Sequence, residues 1–230
     1  MKTIGLIGGM SWESTVSYYQ QLNILARQRL GGLHSANLLL WSFDFAEIEA
    51  CQARGDWQEA TRMMIVAATS LEQAGAQCIV ICTNTMHKMA AEVQEAIDIP
   101  LIHIADATAA SIKASHVKRP LLLATAYTME QDFYTGRLMQ QHSINVATPS
   151  ELNRVDVHRI IYDELCQGVI KEASKKRYLE IIAEAECTGV DGVIFGCTEV
   201  GLLIQQADTL LPVFDTTSLH AKAAMDFALT

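Results

Sequence analysis

The sequence predicts an α/β fold built from two similar halves with parallel sheets. Three observations carry that expectation. Short, near-continuously apolar runs alternate with longer stretches of helical spacing, as in a parallel sheet covered by helices on both faces. Residues 74–86, AGAQCIVICTNTM, return as residues 188–200, TGVDGVIFGCTEV. In both copies a glycine, Gly75 or Gly189, stands where a helix must end and the chain turn into a strand.

Taken in order, strands are expected over residues 3–7, 37–43, 78–81, 101–104, 121–124, 144–147, 192–195 and 213–214. Helices are expected over 18–30, 58–74, 129–141, 158–168 and 176–188, with a last one over 216–229. The repeat extends beyond the opening pair. Residues 4–8 and their Gly/Met/Ser turn match 121–124 and the turn at Thr125, and Ile99-Pro100-Leu101 matches Leu211-Pro212-Val213. The division expected is a first domain over 1–98, a second over 99–213, and a helix over 214–230 packing back on the first. With no low-complexity linker, the halves share a cleft, and ligands of open α/β sheets bind beyond the carboxyl ends of the strands.

Composition narrows the function classes. Across 230 residues, half are hydrophobic and the net charge is −9. A basic face for nucleic acid is not expected, nor is attraction to anionic membranes. No apolar run approaches the ~20 residues of a membrane span, and the apolar part of MKTIGLIGGMS is too short for a signal peptide. The six cysteines, at 51, 78, 82, 166, 187 and 197, form no C-x-x-C pair or disulfide framework. A reducing cytoplasm is the expected location. Gly5-x-x-Gly8-Gly9 is not a dinucleotide fingerprint, no Walker pattern exists, and no histidine pair has metal-ligand spacing. Neither a cofactor nor a metal is expected.

The two repeated turns carry the chemistry. Gly75 and Gly189 lie 114 positions apart, and that offset sets Thr83 opposite Cys197 and Cys82 opposite Gly196. Aligning the Cys-Thr dipeptides instead pairs Cys82 with Cys197, at the cost of a one-residue slip that would turn every strand side chain to the other face. Two reactive groups facing one cleft could take a proton from one face of a carbon and return one to the other. Cys197 is the base candidate, with a helix N-terminus at Thr198-Glu199 expected to lower its pKa. Thr83 is a proton relay that needs a partner or a water; as a bland alternative it caps a helix. Cys82 is the fallback, pointing away from the cleft. Asn84 and Thr85 donate to a substrate carboxylate or cap the helix. His87 is open to two readings, a proton shuttle or a surface residue of the first helical turn, and its place favours a structural role.

TIGLIGGMSWEST, RLGGLHSA, CTNTMHK, HIADAT, YTMEQDFY, FGCTEVGLL and PVFDTTSLHA together resemble the aspartate/glutamate racemase family, over nearly the whole length. The resemblance implies two pseudo-symmetric α/β domains, a homodimer, and two opposed cysteines that invert the α-carbon of an amino acid without pyridoxal phosphate. Here the residue directly before Asn84-Thr85 is Thr83, so the pair becomes Thr83/Cys197. The Arg and Lys that bind an acidic side chain in such enzymes align with Gln52 and Cys166, which opens the substrate range to neutral polar amino acids such as homoserine. Binding roles are expected for Met10, Gln52, Asn84, Thr85, Thr125, Thr128, Thr198 and Glu199, with Cys166 as a second fallback. The function expected is an amino-acid racemase on aspartate, glutamate or a broader set. The alternatives are a one-cysteine isomerase or decarboxylase, as in the maleate isomerases and arylmalonate decarboxylases, and an inactive small-molecule-binding paralogue.

Overall fold

The computed structural model describes all residues, 1–230. The chain divides into two units, Met1–Ile104 with His220–Thr230, and Ala105–Leu219. The first contains β1 (Ile4–Gly8), α1 (Trp12–Leu30), β2 (Leu38–Ser42), α2 (Phe45–Arg54), α3 (Trp57–Gln73), β3 (Cys78–Ile81), a 3-10 turn at Thr85–Met89 and α4 (Ala90–Glu95). α5 (Ile104–Ser115) opens the second, followed by β4 (Pro120–Leu123), α6 (Ala126–Glu130), α7 (Asp132–His142), α8 (Glu151–Asp163), α9 (Glu172–Glu186), β5 (Gly192–Phe195), α10 (Val200–Leu203) and β6 (Val213–Asp215). α11 (Thr216–Ala228) begins in the second unit and, from His220 on, belongs to the first.

Both sheets are parallel, in the orders β2-β1-β3 and β4-β5-β6. Each gains one further single-residue bridge, Ile79 to Leu101 in the first unit and Leu121 to Ala147 in the second. Residues 101–104 and 144–147 are thus reduced from expected strands to one bridging residue each, and Ile104 already starts α5. Edge segments have a ladder on one side only, so their apolar composition does not guarantee a full strand. Residues 99–104 belong with the first unit, not the second, because Leu101 joins β3.

The duplication holds atom by atom around the repeated strand. Ala76 N donates to Leu71 O and Val190 N to Ala185 O; Gly75 N donates to Glu72 O and Gly189 N to Glu186 O. Both glycines have positive φ, 100° and 86°, a conformation that costs glycine nothing. Ile79 bridges Leu101, and Val193, 114 positions after it, pairs with Val213. The offset of 114 is therefore the structural one.

In the first unit, strand parity sorts the side chains into two cores. Ile79 and Ile81 face a cluster with Ile48, Ala60, Met64, Ala67, Ala68 and Leu71, supplied by α2 and α3. Cys78, Val80 and Cys82 face the opposite cluster with Tyr18, Leu22 and Ala26 of α1 and Ala221, Ala224 and Met225 of α11. α3 forms because its apolar residues recur at helical spacing and Asp56 accepts from Glu59 N at its start. Truncating a fully buried Met64 or Leu22 to Ala would cost about 2–5 kcal/mol.

Candidate active site

In the first unit, the carboxyl ends of β1 and β3 carry two turns. Gly9 has φ +84°, and a Cβ there would lie 2.2 Å from Phe43 O, so only glycine fits. Its N–H donates to Thr15 Oγ1 at 2.8 Å, and the same hydroxyl donates to Ser11 O at 3.0 Å. This holds Met10, whose side chain is sunk in the α2/α3 core; only its main chain remains for a ligand. Gln52, buried on α2, donates to Met86 Sδ at 3.3 Å, behind the second turn.

That second turn follows β3. Cys82 N donates to Ile7 O at 2.9 Å, keeping the chain in sheet register to its last residue. By strand parity the Cys82 side chain then enters the α1/α11 core, 1% exposed, where burial pushes its thiol far above the usual range. At the matching place in the second unit stands Gly196, where a Cβ would lie 2.4 Å from Leu122 Cδ1. In both copies, then, this position faces packed core. Thr83, the next residue, is half-buried, while Asn84 and Thr85 are buried around it. His87 is 2% exposed, not a surface residue; its Nδ1 donates to Thr83 O at 2.8 Å.

In the second unit, Cys197 follows β5. Its thiol donates to Glu199 Oε2 at 2.9 Å, and Thr198 Oγ1 donates to the same oxygen at 2.7 Å. All three side chains are buried. Burial first, then the Glu199 charge and nearby Cys166, hold the Cys197 thiol well above the usual thiol value. This overturns the expected lowering. α10 has only four residues, too few for a useful dipole, and the carboxylate disfavours a second negative charge. Thr125 and Thr128 are buried after β4 and join hydroxyl to hydroxyl at 3.2 Å. Cys166, half-buried in a 3-10 turn, lies near enough to raise the Cys197 thiol.

Two residues escaped the sequence reading. β6 ends with Asp215 opposite Phe195, and Thr217 follows it in the first turn of α11, at the sheet edge after which Cys197 stands. Thr216 Oγ1 donates to Phe195 O at 2.7 Å and ties the two strand ends together. Thr217 Oγ1 is buried with no hydrogen-bond partner, at a cost. The signal was present as adjacent threonines directly after a short strand. The other is His158, whose Nδ1 accepts from Ala126 N at 3.2 Å and so pins the turn carrying Thr125; burial lowers its pKa.

A thiol beside a buried carboxylate at a strand's carboxyl end, in a duplicated parallel α/β chain, is equipment for moving protons at carbon, as isomerases do. The chain belongs to the Asp/Glu/Hydantoin racemase family, whose model matches residues 7–224. A solved structure from Yersinia pestis, described as a candidate Asp/Glu racemase, is 54% identical with a TM-score of 0.93, all of both chains being covered. An aspartate racemase homologue from Pyrococcus horikoshii is 34% identical with a TM-score of 0.86, again over all of both chains. A broad specificity amino-acid racemase of Bacillus subtilis is 22% identical over 74% of this chain and 73% of its own. No helix is long and apolar enough to cross a membrane.

Proposed function

We propose that this protein is a cofactor-independent amino-acid racemase in which Cys197 and Thr83 handle protons on opposite faces of the substrate α-carbon. The observation that carries the reading is the equivalence of the two positions under the 114-residue offset, with Cys82 turned into the core. The Cys197–Glu199 hydrogen bond supports a defined first step. The thiol proton passes to the Glu199 carboxylate as substrate enters, and the thiolate so formed removes the α-proton. The substrate's ammonium, placed near Glu199, offsets the negative charge that otherwise holds the thiol protonated. Main-chain N–H groups and the side chains of Asn84, Thr85, Thr125 and Thr198 stabilise charge developing on the carboxylate. Thr83 donates its hydroxyl proton to the other face while a water donates to Thr83, and the proton held by Glu199 returns through solvent to the hydroxide so left, which avoids a free alkoxide and restores the resting state.

Substrates extend from aspartate and glutamate to neutral polar amino acids such as homoserine. Gln52 and Cys166 carry no charge to pair with a side-chain carboxylate, and buried Glu199 adds a negative one. A homodimer and a cytoplasmic setting complete the reading. One observation favours a second one: with Cys82 in the core, Cys197 is the one thiol left at the two repeated turns, which also suits a one-cysteine isomerase or decarboxylase.

Proton NMR in deuterium oxide, with L- and D-aspartate, glutamate, homoserine, methionine and lysine, tests both. Loss of the α-proton signal that requires Cys197, with appearance of the other enantiomer, is the expected result. No exchange on any amino acid would overturn the racemase and move the assignment to the one-cysteine reaction.

A further inference from the structure

Behind the Thr83 turn, the first unit buries three histidines together. His87 is 2% exposed, His103 9% and His220 0%. The His87 ring lies 4.7 Å from that of His103 and 5.5 Å from that of His220, centroid to centroid. No group of three His, Cys, Asp or Glu side chains is arranged to hold a metal. Both ring nitrogens of His87 meet main-chain atoms. Nδ1 meets Thr83 O at 2.8 Å, and Nε2 meets Ile104 N at 3.2 Å. A carbonyl can only accept and an amide N–H can only donate. The two partners therefore fix one neutral tautomer, with the proton on Nδ1 and a lone pair on Nε2.

His220 is fixed in the same way. Its Nε2–H donates to Ile102 O at 2.6 Å, and its Nδ1 accepts from Tyr18 OH at 2.8 Å. The backbone at 102–104 is thus held by His220 from one side and itself orients His87 from the other. The chain is anchored on either side of Thr83. Before it, Cys82 N donates to Ile7 O and holds the Ile81–Cys82 peptide in the sheet; after it, the Thr83 carbonyl accepts from His87, which holds the Thr83–Asn84 peptide. The His87 bond thus restrains the backbone directly after the Thr83 Cα and, with the sheet end before it, the direction of the Thr83 Cα–Cβ bond. A hydroxyl that must deliver a proton along one line needs such support, because a misplacement of ~1 Å can cost about 100-fold.

We propose that His87 is the positioning residue for the Thr83 face of the reaction, its Nδ1–H setting the Thr83–Asn84 peptide plane under the orienting hand of the Ile104 amide. The proposal rests on the assignment of Thr83 as the second proton-handling group. It makes a particular claim. Weakening the His87 bond impairs inversion, which needs Thr83, more than exchange without inversion, in which Cys197 removes and returns a proton on its own face.

The test uses His87→Asn and His87→Gln in the full chain. The Asn side-chain amide places its NH2 near the former Nδ1 position and keeps the bond to Thr83 O; the Gln amide reaches to the former Nε2 position and loses it. A single enantiomer of the best substrate is incubated in deuterium oxide. Inversion is followed by chiral chromatography and exchange by loss of the α-proton signal. The enantiomer used is the one whose exchange persists in Thr83→Ala. The inversion-to-exchange ratio is expected to stay within about threefold of wild type in His87→Asn and to fall roughly 10- to 100-fold in His87→Gln. A role in folding alone would lower both rates together and leave the ratio unchanged. An equal ratio in the two variants overturns the positioning role while leaving the racemase intact. A Thr83→Ala variant that inverts at the wild-type rate overturns the Thr83 assignment and this proposal with it, and absence of exchange by the wild-type protein overturns the racemase reading itself.

Discussion

The Cys197–Glu199 pair concentrates the chemistry of the second unit into one hydrogen bond of 2.9 Å. The thiol rests protonated because burial and the Glu199 charge both disfavour thiolate, in that order. Replacing Glu199 by Gln removes the charge and leaves the burial. The pH midpoint for alkylation of Cys197 by iodoacetamide should therefore move down, yet remain above that of an exposed thiol. Turnover should fall about 100- to 10,000-fold, because the group that accepts the thiol proton is gone. Unchanged turnover would show that Glu199 takes no part in activating the thiol. The expectation of a lowered pKa failed for a physical reason. Sequence displayed a strand, a turn and an apolar stretch, but not that the following helix would stop after four residues or that Glu199 would fold back onto the sulfur.

Among the elements, those surrounded on both sides were legible. β5, central in its sheet, and β3, between β1 and the Leu101 bridge, run over the residues expected, Gly192–Phe195 and Cys78–Ile81, because strands covered on both faces are apolar throughout and end at polar turns. α2 was missed: in its ten residues the buried face is Ile48, Cys51 and Gln52, only one of them strongly apolar, although Asp44 caps it by accepting from Ala46 N. The helix expected over 129–141 breaks into α6 and α7 at Gln131, which has extended backbone. Thr83 and Cys82 were separable from sequence because one-residue parity decides which face a strand's last side chain meets. Thr217 was not, since only the β5/β6 pairing, a contact between segments distant in sequence, brings the end of β6 to the edge after which Cys197 stands. The same close packing makes a test at the level of the strand. Gly196→Ala would push a methyl against Leu122 and Ala124, the nearest atoms lying 2.4 and 3.0 Å away. A loss of about 1–3 kcal/mol in urea unfolding is expected, and no loss would mean that this edge is looser than described.

On the scale of the whole molecule, buried His220 makes stability depend on pH. Burial lowers the His220 pKa from 6.5 to about 4. The unfolded chain takes up that proton near 6.5, the folded one only near 4, so the stabilisation is full above 6.5 and is lost as pH falls through that window. The group accounts for roughly 3 kcal/mol of acid sensitivity. Urea unfolding at pH 7.5, 5.5 and 4.5 should show a steeper acid loss for wild type than for His220→Gln; parallel curves would rule His220 out as the cause. Alkali acts in the other direction. Burial raises the Cys78 thiol from 9.0 to about 12, so its contribution is full below 9.0 and is lost as pH rises toward 12.

The duplicated architecture stakes its account on one position in each half. Racemisation of a single enantiomer by Cys82→Ala and by Thr83→Ala, side by side under identical conditions, tests that choice most directly. Cys82→Ala is expected to retain inversion within a few-fold, since its thiol is buried in the α1/α11 core, and Thr83→Ala to lose it by about 100-fold or more while Cys197-dependent exchange continues. Loss of inversion in a folded Cys82→Ala protein, with Thr83→Ala active, would contradict the account and return the reaction to a pair of cysteines.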